Sequence, residues 1–283
     1  NYFYMRNSGL QNQSQLFVRK GLDGAPRLLI DPNTWAKDGA TALDDWEPSK
    51  NGNLLAYSVQ DGGTDWRIIR VVDARTGKAL PDEIRWAKFT GISWIGNSGF
   101  LYSRFPEPKE GAAFQQLNKN QEVRFHRIGT PQSADVLVYS TPDQPELSHG
   151  AEATWDGRWM VVTTSKGTDN KFAVHVMRMK GGNWGAPQEL IGKLENDWRL
   201  IEGMGDTLYF MTNKDAPKLR VVKMVLKMAS RAFLVSSEAR PPAMVPSFVS
   251  VPVFATVASR FNDLGVERLY AARSEERRVG KEC

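Results

Sequence analysis

Residues that could carry out catalysis are scarce in this sequence, and none of them falls into a recognisable catalytic spacing. A serine nucleophile in a Gly-x-Ser-x-Gly turn needs a second glycine two residues after the serine. The nearest match is Gly91-Ile92-Ser93-Trp94-Ile95, where isoleucine takes that place. The Gly-x-x-x-x-Gly-Lys-Ser/Thr sequence that binds phosphate is absent as well. The sequence therefore predicts no catalytic residue within this chain.

The three histidines also lack partners at the spacing of metal ligands. His126 and His175 lie in strand-like runs, where a packing role is expected. His149 precedes Gly150 in a predicted loop and is the one histidine that we consider for a place near a ligand, although an ordinary structural role is favoured. The single cysteine, Cys283, is the last residue, so an internal disulfide is excluded. No metal site and no cofactor are predicted.

The composition is that of a soluble globular domain. The chain has 283 residues, of which 41% are hydrophobic and 24% charged, with a net charge of +5. Lysine and arginine are spread along the chain and form no basic stripe with interleaved aromatic residues, so a nucleic-acid partner is not expected. No apolar run approaches the length that crosses a bilayer, and no membrane partner is expected.

A repeat runs through the chain and predicts its fold. Hydrophobic strands that each open a hairpin begin at positions 2, 54, 100, 159, 208 and 253, and the intervals between them range from 45 to 59 residues. The strands alternate apolar and polar residues with period 2, which excludes helical repeats. A unit of this length with about four strands is typical of a propeller blade. We predict an all-β, incomplete β-propeller of about five to six blades, with a β-sandwich as the alternative.

The C-terminal part fits this repeat less well. Prolines at 241, 242, 246 and 252 crowd residues 228–252, where a strand is due, so this region is either a long loop between blades or is misread. The last eleven residues, 273–283, resemble the translation of a widely used sequencing-adapter oligonucleotide. We therefore predict a partial propeller domain over 1–272 and a foreign, disordered tail over 273–283. The chain lacks an initiator methionine and is expected to begin inside a longer protein.

Several motifs, in the same order along the chain, resemble the propeller of the prolyl oligopeptidase family of serine peptidases. These motifs are Asn7-Ser8-Gly9-Leu10-Gln11-Asn12-Gln13-Ser14, Leu29-Ile30-Asp31-Pro32-Asn33, Pro48-Ser49-Lys50-Asn51-Gly52, Gly63-Thr64-Asp65-Trp66, Lys88-Phe89 with Ser93-Trp94, Phe125-His126-Arg127-Ile128-Gly129-Thr130 and Gly150-Ala151-Glu152. The resemblance covers residues 1–226 strongly and 253–272 weakly.

The resemblance implies a two-domain parent enzyme that cleaves short proline-containing peptides after proline. A seven-bladed propeller would cap an α/β-hydrolase domain that carries the catalytic triad, and that domain is missing from this chain. The propeller would gate access and line the substrate cavity, where Phe89 matches a substrate-binding position. A cytoplasmic location is expected, with the periplasm as the alternative.

Three alternatives remain open at this point. The chain could be a free-standing binding or scaffold propeller without peptidase activity. It could belong to a related branch that cuts after basic residues, although the Gly9-Leu10-Gln11 opening favours the prolyl branch. Phe89 could be a core residue of a blade instead of a substrate contact.

Overall fold

The structure, a computed structural model, is built from β-strands. It describes residues 1–36, 40–60, 62, 64–109, 111 and 117–227, and the backbone of 245–250. Within this part of the chain the only helices are two short 3-10 turns, Pro32–Thr34 and Gln132–Ala134. No helix among the described residues is both long and apolar enough to cross a membrane.

The strands form five successive antiparallel blades. Blade 1 has three strands: β1 Tyr2–Arg6, β2 Gln15–Arg19 and β3 Arg27–Ile30. Blade 2 has four: β4 Ala42–Pro48, β5 Leu54–Gln60, β6 Arg67–Asp73 and β7 Ala79–Ala87. Blade 3 has four: β8 Ser93–Ile95, β9 Gly99–Arg104, β10 Glu122–Arg127 and β11 Val136–Tyr139. Blade 4 has five: β12 Leu147–Ala153, β13 Trp159–Lys166, β14 Ala173–Lys180, β15 Asn183–Trp184 and β16 Gln188–Ile191. Blade 5 has four: β17 Trp198–Met204, β18 Thr207–Thr212, β19 Arg220–Lys227 and β20 Val245–Ser250.

Blades 2 and 3 are joined more closely than the others. Strand β7, the last of blade 2, pairs with β9 of blade 3 through Ala87 and Arg104. This pairing merges the two blades into one eight-stranded sheet, whereas blades 1, 4 and 5 are separate sheets.

The hydrophobic core lies between the blades. Because successive side chains of a strand point to opposite faces, the hairpin strands of blades 2, 3 and 4 pack against both neighbouring blades. In β9, for example, Phe100 and Tyr102 pack toward blade 2 and Leu101 packs toward blade 4. Four core clusters result, one at each junction from blades 1 and 2 to blades 4 and 5.

The predicted all-β propeller is confirmed for the described residues, and the predicted hairpin strands lie where the repeat placed them. Residues 245–250, inside the stretch that fitted worst, form β20 and pair with β19. In the part of the chain that the structure describes, β20 is the last strand of its sheet, and an edge strand is compatible with a proline such as Pro246. The predicted sixth repeat after 253 and the predicted foreign tail 273–283 lie outside the described residues.

Candidate functional site

The connection that carries Phe89 joins two blades at one end of the propeller. It runs from the end of β7 to the start of β8. Because the strands are antiparallel, the connections between the second and third strands of each blade lie at this same end. Trp66 and Phe105, which belong to such connections in blades 2 and 3, are therefore neighbours of Phe89.

Phe89 is exposed, and its backbone is held in an unusual conformation. Its side chain is 51% exposed, so it is not a core residue of a blade. Both Phe89 and Trp86 have positive φ angles, 52° and 62°, which bulky residues rarely adopt. Conformations of this kind persist where the surrounding structure enforces them, often at functional sites.

Gln121 enforces this conformation from outside the connection. Its side chain is buried, and its Nε2 donates to the carbonyl oxygens of Lys88 and Phe89 at 2.9 and 3.4 Å. Its Oε1 accepts a hydrogen bond from the backbone N–H of His149 at 2.7 Å. The connection is also anchored by the N–H of Phe105, which donates to the carbonyl of Trp86.

Around Phe89 lies an aromatic cluster composed of Trp66, Trp86, Phe89 and Phe105. Phe89 and Trp66 each meet Phe105 edge-on at 6.4 Å, and Trp66 meets Trp86 edge-on at 5.6 Å. Lys88 Nζ lies 5.0 Å from the Trp66 ring centre and 5.1 Å from that of Phe89. The cluster therefore offers a rigid apolar surface with one cation beside it, which suits stacking against an apolar ring.

His149 is a structural residue, and its predicted place in a loop was wrong. It lies in β12 and is 2% exposed. Its Nδ1 lies 2.9 Å from Thr164 Oγ1 and its Nε2 lies 3.0 Å from Thr141 Oγ1. Burial, with a smaller effect of His175, lowers the pKa of His149 to about 4, so the ring is neutral. Gly150 had suggested a loop, but in the structure it pairs with Thr163 inside the sheet.

A cavity of about 440 Å³ lies among β4, β8, β12 and β17, the first strands of blades 2 to 5. Four carboxylates line it: Asp45, Glu47, Glu152 and Glu202. The cavity walls limit the hydration of Glu47, and this desolvation and then the charge of Asp45 raise its pKa to about 7, while part of the residue stays in contact with solvent. Desolvation and then the charge of Glu202 raise the pKa of Glu152. We call this the acidic cavity; Lys50 also lies in its lining.

These carboxylates were not predicted from the sequence, because each predicted repeat begins at the hairpin and they lie in the strand before it. The signal that could have revealed them is that Glu47 and Glu152 occupy similar places in the strands before the hairpins of blades 2 and 4. Among the described residues, no three His, Cys, Asp or Glu side chains meet in a way that could hold a metal ion.

We expect Glu47 to titrate near neutral pH. Because its pKa in the folded chain is raised above the ordinary 4.5, its contribution to stability is fully present below pH 4.5 and is lost as the pH rises through about 7. Carbon-13 NMR of the carboxyl group measures the midpoint directly. Asp45→Asn should lower the midpoint only in part, because burial is the larger cause. A midpoint near 4.5 in the unmutated chain would contradict the expectation.

Comparison with known proteins identifies the family. Residues 1–246 match the family described as "Prolyl oligopeptidase, N-terminal beta-propeller domain". The chain is 36% identical over 225 residues to the prolyl endopeptidase of Elizabethkingia meningoseptica, a match that covers 80% of the chain and 31% of that protein. It is 30% identical over 258 residues to the dual function macrocyclase-peptidase POPB of Galerina marginata, covering 80% of the chain and 34% of that protein.

Solved structures agree with this assignment. A structure from a mechanistic analysis of two prolyl endopeptidases superposes with a TM-score of 0.76 at 46% identity, over 88% of this chain and 33% of that one. Prolyl oligopeptidase B of Galerina marginata, without ligand, superposes with a TM-score of 0.68 at 28% identity, over 79% of this chain and 34% of that one. The chain spans about a third of the length of these relatives. It belongs to the prolyl oligopeptidase family and corresponds to its N-terminal β-propeller domain.

Proposed function

We propose that this chain is the propeller part of a serine endopeptidase that cleaves short peptides after proline. In that enzyme the propeller gates access to the catalytic site and lines one side of the substrate cavity. The hydrolase domain that carries the catalytic residues would be supplied by sequence that this chain does not contain. The relatives named prolyl endopeptidase support the proposed reaction. A cytoplasmic location, with the periplasm as the alternative, is part of the same proposal.

The observation that carries the proposal is the exposed and rigidly held Phe89. Leaving a side chain of this size half exposed to water costs free energy, and the positive φ of Phe89 costs more. Both costs are understandable if Phe89 stacks against the proline ring or a neighbouring side chain of a peptide.

A chimaera provides the test. Residues 1–226 would replace the matching segment of the Elizabethkingia meningoseptica prolyl endopeptidase, and hydrolysis of a chromogenic peptide with proline before the reporter would be followed. We expect Phe89→Ala to raise KM about two- to tenfold with a smaller change in kcat, since loss of a stacked aromatic contact is worth about 0.5–1.5 kcal/mol. The matched control is Leu22→Ala, which shortens another exposed large hydrophobic side chain, one that lies outside both the aromatic cluster and the lining of the acidic cavity.

Two results would count against the proposal. An active chimaera whose KM is unchanged by Phe89→Ala would show that Phe89 does not contact the substrate. Turnover by the isolated chain that survives repurification would show that the chain carries catalytic residues of its own. A chain that binds peptide or protein partners but yields only inactive chimaeras would favour a free-standing binding propeller.

A further inference from the structure

A buried histidine lies between two buried carboxylates at the junction of blades 2 and 3. His126 Nδ1 is 2.7 Å from Asp135 Oδ1, and His126 Nε2 is 2.9 Å from Asp82 Oδ1. The side chains of all three residues are completely shielded from solvent. Phe100 covers the imidazole, with its ring centre 5.3 Å away.

The two short contacts determine how many N–H groups the imidazole ring of His126 carries. A carboxylate only accepts hydrogen bonds, so each ring nitrogen must donate for both contacts to be favourable. A neutral imidazole has one N–H, whereas an imidazolium has two. The geometry therefore requires a positively charged His126 as long as both aspartates are ionised.

Each aspartate also accepts a hydrogen bond from a second donor. Tyr102 Oη donates to Asp135 Oδ2 at 2.7 Å, and the Gly129 N–H donates to Asp82 Oδ1 at 2.6 Å. Asp82 Oδ2 is buried without a hydrogen-bond partner, which leaves Asp82 dependent on the charge of His126.

These residues connect two blades. Asp82 belongs to β7 of blade 2, whereas His126 belongs to β10 of blade 3 and Asp135 immediately precedes β11. The segment between His126 and Asp135 folds against β7, where the Gln132 side chain exchanges two hydrogen bonds with the backbone of Arg85 at 2.9 and 3.0 Å. Strand β7 leads directly into the connection that carries Phe89.

We propose that Asp82, His126 and Asp135 form a pH-sensitive latch. When His126 is protonated, it holds β7 of blade 2 against blade 3. When His126 loses its proton, two buried carboxylates face each other without a cation between them. Strand β7 of blade 2 then separates from residues 129–135 of blade 3. The proposal does not depend on the peptidase function.

The charges around the ring determine the direction of the pH dependence. Burial alone disfavours the imidazolium, but hydrogen bonds to Asp135 and Asp82 and their charges outweigh it and raise the pKa of His126. The other ionisable groups that face this site are Tyr102 from β9, whose pKa is raised mainly by burial, and Arg124 from β10, which donates to the Asp135 carbonyl. The stabilisation is therefore complete below about pH 6.5, the ordinary histidine value, and is lost as the pH rises through the higher pKa of folded His126.

Nitrogen-15 NMR of the imidazole rings tests the charge without a mutation. The chain has three histidines, so the signals can be assigned by single replacements. We expect the titration midpoint of His126 to lie above the ordinary 6.5, with both ring nitrogens showing imidazolium shifts below it, while burial lowers the pKa values of His149 and His175. A midpoint of His126 at or below 6.5 would overturn the proposal.

Hydrogen exchange of the full chain tests the latch itself. After correction for the intrinsic pH dependence, we expect exchange in β7 and in residues 128–135 to increase as His126 deprotonates, by about tenfold for each unit by which the pKa of His126 is raised. His126→Gln should show the fast exchange at every pH, and Asp82→Asn should move the transition to lower pH. His175→Gln, which replaces another strand histidine, should leave the transition in place. Exchange in the unmutated chain that is independent of pH would also overturn the proposal.

Discussion

The purified chain is expected to elute from a size-exclusion column as oligomers or aggregates instead of a monomer. One face of blade 1 carries Tyr2, Tyr4, Phe17 and Leu28, and none of the core clusters among the described residues lies on this face. Tyr2 is 48% and Leu28 is 42% exposed. In blades 2, 3 and 4 both faces of the sheet are covered by neighbouring blades.

The size of the effect follows from the exposed apolar area. A patch of a few hundred Å² is large enough to drive association, and at about 25 cal/mol per Å² its burial is worth several kcal/mol. This is comparable with the whole stability of a typical domain, about 5–15 kcal/mol.

Light scattering coupled to the column at several concentrations would measure the association. Leu28→Glu places a charge on the open face and should shift the chain toward the monomer. The matched control is Leu10→Glu, at a loop position that is 95% exposed, which should have no effect. A chain that is already monomeric at every concentration would show that this face needs no cover.

Trp159→Ala is expected to destabilise the fold by about 3–5 kcal/mol, the usual cost of removing a large buried aromatic side chain. Trp159 is fully buried in the cluster between blades 4 and 5. Its Nε1 donates to the carbonyl of Gly205 at 2.9 Å, so the mutation also removes the donor of that hydrogen bond. The Arg178 guanidinium lies 4.8 Å from the ring centre and loses its contact as well.

Urea unfolding followed by circular dichroism would measure the loss. Since a whole domain is stable by about 5–15 kcal/mol, we expect a large shift of the midpoint. Trp155→Ala is the matched control, because this tryptophan lies nearby in the chain but is 66% exposed. Equal effects of the two mutations would contradict the packing described for Trp159.

The hairpins could be predicted from the sequence because their strands are runs of largely buried residues that end at polar turns. Strands β5, β9 and β13 are buried on both faces and β18 is buried in alternation, and all four were found. The first strands of the blades were harder to predict, because they line the acidic cavity and expose polar residues such as Glu47 to its water. Strand β8 has only three residues, and β12 contains His149 next to a glycine. Short strands with polar faces resemble loops in a single sequence.

Phe89 was identified by resemblance, but its conformation could not be predicted. The connection that carries it is held by Gln121, which is far away in the sequence and donates hydrogen bonds to the carbonyls of Lys88 and Phe89 in the folded chain. The latch around His126 was missed for a similar reason. Asp82 and His126 belong to different blades, and no local pattern links them.

The position of the core clusters between blades has a consequence for how such a chain can evolve. Blades 2, 3 and 4 each contribute to two of these clusters, blades 1 and 5 each contribute to one, and no cluster lies within a single blade, so a blade excised from this chain would have no hydrophobic interior. Duplication or loss of one blade would therefore create a new junction between surfaces that had not met before. Such changes would be tolerated most readily where the blade faces that meet at the new junction are apolar and can pack against more than one partner face. The junction of blades 2 and 3 is the least interchangeable of the four, since its ion pairs and shared sheet fit only one neighbour.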